Sequence, residues 1–218
     1  MNTKENSFAL DLKSQAVSKN RFFTKLAFSF AFAGAMAVSA NVFLYLPGTP
    51  VPITLQTITV LFAALFLGSR FALLSQIEYL MLGIMGFPVF AGFKSGITSL
   101  FGPTGGYLTG FLFAAFITGY ILENFNGKIK NKIYLCLFSF ITGLIIIYLT
   151  GFVHLLGYTS AVFGNLGIKF LFIKTFDMAI KPFILVEFVK LFIIMDAAVL
   201  IKSNSKLRSF HTRLFAGK

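Results

Sequence analysis

The sequence is dominated by long apolar stretches, several of them close to the length of a membrane-spanning helix. About 20 apolar residues in a helix are enough to cross the hydrocarbon core of a bilayer, which is about 30 Å thick. Hydrophobic residues make up 57% of the 218 residues and charged residues only 12%, whereas a soluble domain has about 25% charged residues. The chain is therefore expected to be an integral membrane protein. An ordinary soluble enzyme and a disordered chain are excluded.

The apolar stretches show no alternation of apolar and polar residues, so helices are predicted rather than the strands of a barrel. The second and third stretches nearly touch, because only the short segment after Gly68 separates them. We predict an all-α membrane protein with six transmembrane helices at residues 22–44, 53–67, 71–87, 104–122, 133–156 and 179–201. Residues 1–21 and 202–218 are expected to be polar, basic tails on either side of this six-helix domain, which occupies residues 22–201.

The formal net charge of +12 is distributed unevenly. Lysine and arginine are concentrated in the two tails and in two connections, at Arg70 and at residues 128–132. The opposite side has only Lys94 and the pair Lys169 and Lys174. Because positive loops stay in the cytoplasm, both termini are predicted to be cytoplasmic in a multi-pass protein of the cell membrane. The charge is thus assigned to membrane orientation, and no nucleic-acid partner is expected.

An alternative interpretation of the first stretch is a secretory signal with a cleavage site at residues 38–40, Val-Ser-Ala. Such signals combine basic residues, an apolar run and a small-residue site. The run here is long enough to span a bilayer, and cleavage would leave five spans and break the charge pattern. We therefore interpret the stretch as the first transmembrane helix.

The motifs that carry common enzyme chemistry are missing from the sequence. Cys136 is the single cysteine, which excludes a disulfide within one chain. A Gly-x-x-x-x-Gly-Lys-Ser/Thr phosphate loop is absent, so the chain has no ATPase motif of its own. We expect a non-enzymatic protein without a metal or a covalently bound cofactor.

Two connections on the predicted outer side are rich in proline and glycine. Residues 46–56 hold three prolines, and residues 86–107 combine glycine, proline and phenylalanine. Proline stiffens a loop, and glycine lets a backbone approach a ligand closely. One such loop is typical of a tight turn, but two on the same face favour a binding site.

These connections carry the motifs of a known family. PVPITLQ at 50–56, LGIMGFPVFAGF at 82–93 and FGPTGGY at 101–107 closely resemble the BioY family, the biotin-specific S components of energy-coupling factor (ECF) transporters. The resemblance implies a six-helix, S-component-like bundle whose membrane domain captures biotin from outside. It also implies a transmembrane T component and two cytoplasmic ATPases as partners, with ATP used only by the partners. The alternative is a stand-alone secondary transporter or facilitator of a small solute.

The family's last helix usually carries Asp-x-x-Lys after a Pro-Phe pair. Here Pro182-Phe183 precedes Glu187 and Lys190, so the acid is one methylene longer. The expected substrate-binding residues are Thr54, Gln56, Lys94, Thr104, Tyr107, Glu187 and Lys190.

Each of these assignments has a structural alternative. Glu187 and Lys190 share a helix face and are also consistent with an internal ion pair. Thr54 and Gln56 are equally suited to tying down the proline loop. Thr104 is placed to cap the fourth helix, either as a purely structural cap or with the following N–H groups binding an anion. Lys94 is either a partner for the ligand carboxylate or a solvated loop charge.

Small residues form two stripes on the first helix, at Ala33 and Ala37 and at Ala27, Ala31 and Ala35. Such stripes allow close helix approach in lipid. The resemblance implies a docking face for the T component, and Ala33 and Ala37 fit it best, with internal packing as the alternative. No partner is assigned to Glu78 in the third span, and its role is left open.

Overall fold

The computed structural model describes residues 3–126, 128–129, 131–164 and 167–203. The elements are α1 (Thr3–Ala40), β1 (Phe43–Leu44), β2 (Ile53–Thr54), α2 (Gln56–Ile84), α3 (Thr98–Phe101), α4 (Gly105–Asn124), α5 (Lys132–Val162), α6 (Ile168–Ala179) and α7 (Ile184–Ser203). The two short strands pair in antiparallel fashion, with Phe43 opposite Thr54 and Leu44 opposite Ile53. The all-helical class predicted from the sequence is confirmed, and the β-pair only closes the proline loop.

Four helices of the described part are long and apolar enough to cross a membrane: Lys19–Ala40 within α1, α2, α4 and α5. The helix α1 begins at Thr3, inside the segment predicted as a polar tail. The predicted C-terminal tail lies outside the described residues from 204 onwards.

The helix α2 reverses direction at Gly68, where the sequence predicts a connection between two spans. Gly68 has φ 76° and ψ 178°, a left-handed conformation that favours glycine. The side-chain amide of Gln56 donates to the hydroxyl of Tyr79, 23 residues later, at 3.0 Å. A straight helix would place these residues about 34 Å apart. The two arms of α2 therefore run antiparallel.

Glu123, near the end of α4, holds this turn. Its Oε1 accepts from the backbone N–H of Ser69 at 3.0 Å, and its Oε2 accepts from the Ser69 hydroxyl at 2.7 Å. The carboxylate thereby caps the first turn of the second arm, where free N–H groups favour an anion. The Gly68 turn and the C-terminal end of α4 thus lie at the same end of the bundle.

The core lies where α4 packs against α2 and α5, and glycines allow the helices to approach. A Cβ atom at Gly119 would lie 2.5 Å from the backbone nitrogen of Ser69, and one at Gly143 would lie 2.4 Å from the hydroxyl of Thr118. Small residues are typical of such interfaces in membrane helices. Tyr79 and Phe140 are fully buried in this core.

The segment 157–177, between the last two predicted spans, is mostly helical in the described residues. The helix α5 continues to Val162, and α6 packs on its end. Leu171, Thr175 and Ala179 are buried and lie four residues apart, so one face of α6 contacts the bundle. The helix then breaks before α7, where Pro182 removes a backbone donor. The last long helix consequently begins at Ile184 rather than at 179.

Candidate functional site

A cavity of about 270 Å³ lies at the end of the bundle opposite the Gly68 turn. Its size is close to the lower end of small-molecule pockets, about 300–1,000 Å³. The proline loop, the 85–104 connection and the helices α4, α5 and α7 form its walls. All seven residues expected from the sequence to bind a substrate line it: Thr54, Gln56, Lys94, Thr104, Tyr107, Glu187 and Lys190.

Glu187 and Lys190 form a buried ion pair in the wall of this cavity. The ammonium of Lys190 donates to Oε1 of Glu187 at 2.6 Å, and the two side chains are 9% or less exposed. Both residues lie on α7, three positions apart, so one helix face presents them together. The internal ion pair that the sequence left as an alternative is therefore present, and it also borders the cavity.

Two neutral residues complete the network. The hydroxyl of Tyr148 donates to Oε1 of Glu187 at 2.9 Å. Thr57 donates its hydroxyl proton to the same oxygen at 3.2 Å and accepts from Lys190 at 3.1 Å. Three donors from α2, α5 and α7 thus converge on a single carboxylate oxygen.

Two hydrogen-bonding groups of the ion pair are unused within the described part of the chain. Among the described residues, Oε2 of Glu187 has no hydrogen-bond partner although it is buried. An ammonium carries three N–H donors, and Lys190 uses two of them within the described part of the chain. The site therefore offers one anionic acceptor beside one cationic donor. A ligand with a neighbouring N–H group and carbonyl oxygen would satisfy both.

An aromatic wall adjoins the network. Tyr107 and Tyr148 meet edge to face with ring centres 5.9 Å apart, and Phe183 lies 5.8 Å from Tyr148. The hydroxyl of Tyr107 donates to the carbonyl oxygen of Ala179 at 2.9 Å. Tyr107 accordingly offers the cavity a ring face, while its proton is already used.

Thr54 and Gln56 are engaged with the protein itself. The hydroxyl of Thr54 donates to Oε1 of Gln56 at 3.2 Å, and the Gln56 side-chain amide donates to Tyr79 at 3.0 Å. Tyr79 in turn donates to the carbonyl oxygen of Val89 at 3.2 Å. This chain of bonds ties the proline loop to the 85–104 connection, which is the structural alternative that the sequence offered for these residues.

At the start of α4, two of the N–H groups considered for binding an anion are already used within the protein. Thr104 occupies the N-cap position, but its side chain makes no capping hydrogen bond. The N–H groups of Gly105 and Tyr107 already donate to the carbonyl oxygens of Gly102 and Thr104. Tight turns of this kind satisfy the first amides of a helix locally, so these two amides are not available to an anion. Thr104 still lines the cavity.

Lys94 lies at the cavity rim, at the end of a tight turn in which Phe90 donates its N–H to the Lys94 carbonyl oxygen at 3.0 Å. The residue is exposed, and its ammonium makes no ion pair with any other described residue. A cation is thus present at the mouth of the cavity.

Sequence reasoning missed Thr57 and Tyr148. Thr57 directly follows the proline-loop motif, so its position in the sequence was a usable signal. Tyr148 is a phenol inside an apolar run of α5, and a polar group buried in such a run needs a partner. Which face of the run points inward is decided only by packing.

For Ala33 and Ala37, assigned as a partner interface, the structure favours the alternative of internal packing. Ala33 is only 1% exposed and belongs to the core, and Ala37 packs against that core. Ala27, Ala31 and Ala35, the other stripe with the same spacing, are exposed instead.

Glu78, left without an assigned partner, accepts a hydrogen bond from the hydroxyl of Ser29 at 2.9 Å. This bond joins α1 to the second arm of α2.

The sequence is similar to one protein family and to named members of it. The model of the BioY family matches residues 9–207. A probable biotin transporter BioY of Pyrococcus horikoshii is 39% identical over 141 residues, which is 65% of this chain and 74% of the relative. Biotin transporter BioY2 of Lactococcus lactis subsp. cremoris is 33% identical over 184 residues, 82% of this chain and 92% of the relative.

The fold is similar to that of a solved structure. The crystal structure of the S component for biotin from an ECF-type ABC transporter is similar, with a TM-score of 0.71 and 22% identity. The similarity covers 85% of this chain and 94% of that one. The match over nearly the whole sequence, together with the relatives and the shared fold, shows that this multi-pass membrane protein belongs to the BioY family.

Proposed function

We propose that the chain captures biotin in the cavity between the proline loop and α7, as the substrate-binding S component of an ATP-driven ECF importer. The observation that carries the proposal is the open acceptor and donor at Glu187 and Lys190. Biotin has a ureido ring with two N–H groups and a carbonyl oxygen. Oε2 of Glu187 accepts from a ureido N–H, and the free N–H of Lys190 donates to the ureido oxygen.

The remainder of the ligand fits the polarity of the cavity. The rings of Tyr107, Tyr148 and Phe183 supply an apolar wall for the bicyclic ring system. The valerate carboxylate then points toward the rim, where the exposed ammonium of Lys94 attracts it. The names of the curated relatives, biotin transporters, support this substrate.

Calorimetry on the purified chain tests the proposal. Biotin is expected to bind with a single site per chain, and dethiobiotin, which keeps the ureido group, measures how much the thiophane ring adds. Failure of biotin to bind a folded, monodisperse protein would overturn the proposal.

Uptake needs partners in this proposal, because the sequence has no phosphate loop. A T component and two cytoplasmic ATPases are the proposed energising module. In proteoliposomes, biotin accumulation is expected only with these subunits and internal ATP. Accumulation by the chain alone would favour the stand-alone secondary transporter instead.

We place the docking face for the T component on the exposed stripe Ala27, Ala31 and Ala35, because small exposed residues allow a second helix to approach. Ala31→Phe is expected to block uptake by the assembled importer and to leave biotin binding unchanged. Ala33→Phe is the contrast, since it overpacks the core and should lower the melting temperature. Normal uptake with Ala31→Phe would remove this stripe from the interface.

The proposed topology has six spans, with both termini in the cytoplasm. The two antiparallel arms of α2 supply the second and third spans, and the basic residues at the Gly68 end favour the cytoplasm for that end. In a Cys136→Ala background, a cysteine at Ser95 should react with an impermeant reagent from outside. A cysteine at the exposed Asn126 should react only after permeabilisation, and the opposite pattern would invert the topology.

A further inference from the structure

The helix α6 packs beside the outer end of α5, at the end of the bundle where α4 begins. Nε2 of His154 is 2.9 Å from the carbonyl oxygen of Gly102, and a Cβ atom at Gly106 would lie 2.3 Å from that of His154. His154 is therefore level with the first turn of α4. From this level α5 continues to Val162, which extends it by about 12 Å.

The outer end of α5 carries α6 alongside it. Tyr148 contacts Glu187, and the hydroxyls of Thr159 and Thr175 are 2.8 Å apart. These contacts place α7 beside the middle of α5 and α6 beside its outer end. The outer end of α5 and the helix α6, together the α5–α6 hairpin, therefore lie at the cavity end of the bundle.

The exposed surface of α6 is strongly apolar. Phe176 and Ile173 are 40% and 53% exposed, and Phe172 is 51% exposed although its ring also contacts Phe152 of α5 at 5.0 Å. Ile168 and Phe170 are exposed as well. Large exposed apolar patches on a protein mark a surface that something else covers.

The neighbouring surface indicates what covers it. Ile145, Leu149 and Val153 follow one exposed line of α5, four residues apart, and α5 is a candidate membrane span. Val153 directly follows Phe152, whose ring lies 5.0 Å from that of Phe172 on α6. The apolar surface of α6 is thus continuous with the part of α5 that contacts lipid.

The cations of α6 have the arrangement expected at a membrane interface. The ammonium of Lys174 lies 3.8 Å from the ring centre of Phe163. Lys181 pairs with Asp177 at 3.1 Å, with both side chains at least half exposed, and Lys169 is exposed as well. Lysines with apolar stems and aromatic neighbours are stable where acyl chains meet phosphate groups. Lys169 and Lys174 are two of the three lysines on the predicted outer side of the membrane.

We infer that α6 is an interfacial helix, embedded in the boundary between acyl chains and headgroups of the leaflet on the cavity side. It also holds the cavity rim at that level. Thr49 of the proline loop donates to the carbonyl oxygen of Met178 at 2.7 Å, and Tyr107 donates to that of Ala179 at 2.9 Å. Lipid contact is thereby linked to two walls of the cavity, whichever ligand the cavity binds.

The absence of tryptophan from the sequence makes a direct test possible. Phe172→Trp and Phe176→Trp each introduce a single fluorophore on the exposed face of α6. The full chain is reconstituted in phosphatidylcholine vesicles with and without lipid brominated high on the acyl chain. Both variants should lose emission to the brominated lipid as strongly as the control Ile145→Trp on the lipid-facing line of α5.

Aqueous iodide quenches the emission of tryptophans that are exposed to water rather than to lipid. The second control, Asn126→Trp in the exposed α4–α5 connection, should be quenched by iodide and not by brominated lipid. Quenching of both α6 variants by iodide alone would overturn the inference in favour of a water-exposed hairpin. Quenching by neither agent would overturn it in favour of a protein partner or a second copy. Biotin binding is not part of the readout, so failure of the proposed function leaves this result unaffected.

Discussion

The ion pair of Glu187 and Lys190 can be removed as a unit by the double variant Glu187→Gln, Lys190→Met. Each single change would leave a buried charge without its partner, which costs about 3–5 kcal/mol of stability. The double change leaves no charge. The amide of glutamine still accepts from Tyr148 and Thr57, which both bond to Oε1 in the parent protein.

The magnitude follows from the two groups that the structure leaves open. In the bound state, Oε2 of Glu187 and the remaining N–H of Lys190 each form a charge-assisted hydrogen bond with the ureido group in our proposal. Such bonds contribute about 1.5–3 kcal/mol each. Taking the low end for both, biotin affinity should fall at least about a hundredfold.

The assay is calorimetry in detergent on protein that is monodisperse by size-exclusion chromatography. A melting temperature near that of the parent shows that the fold has survived. Asp177→Asn with Lys181→Met is the matched control, because it removes the exposed ion pair of α6. Exposed pairs contribute about 0–1 kcal/mol, so this control should keep both stability and biotin affinity.

One result would refute the reasoning. If the folded double variant binds biotin as tightly as the parent, the pair is structural only, and the ligand contacts must lie elsewhere in the cavity. If instead the double variant fails to fold while the α6 control folds, the pair is needed for stability. The single variant Glu187→Asp, which keeps both charges, then serves to measure the contribution to binding.

Three further changes test other features. Tyr148→Phe removes one donor to Glu187 within the protein and should lower the free energy of unfolding by about 1.5 kcal/mol, the low end for a hydrogen bond to a charged group. Tyr134→Phe, on the exposed side of α5, should leave the melting temperature unchanged. Gly68→Ala should lower the melting temperature, because the new Cβ would lie 2.0 Å from Oε1 of Glu123. The control Gly34→Ala has open space around it and should leave the melting temperature unchanged. Equal melting curves for the two variants would contradict the role of the turn. Lys94→Gln should weaken biotin binding and leave binding of biotin methyl ester unaltered, and equal losses for both ligands would exclude a contact with the carboxylate.

The sequence predicted the parts of the fold that depend on composition and on local breaks. The helix α4 lies within two residues of its expected bounds, and the connection expected after Leu67 is the turn at Gly68. The sequence did not predict α6, because the helix has only 12 residues, three of them charged: Lys169, Lys174 and Asp177. Such a segment is too short and too polar to be recognised as a membrane span.

The candidate site was predicted to the extent that motifs marked it. The outer loops and the Glu187–Lys190 pair meet in one cavity. The register of an apolar helix was not predictable, since lipid and protein core favour the same residue types. This is why Tyr148 was missed and why Ala33 was assigned to a partner although it lies in the core.

The reversal of α2 at a single glycine, Gly68, also limits which insertions and deletions the chain tolerates. One extra residue between Gly68 and Tyr79 would rotate the distal part of the arm by about 100°. The phenol of Tyr79 would then leave Gln56, and the proline loop would lose its anchor beside the ligand cavity. The carboxylate of Glu123 blocks expansion of the turn itself, because it already fills the space beside Gly68. Insertions and deletions should therefore be absent from this turn in functional relatives.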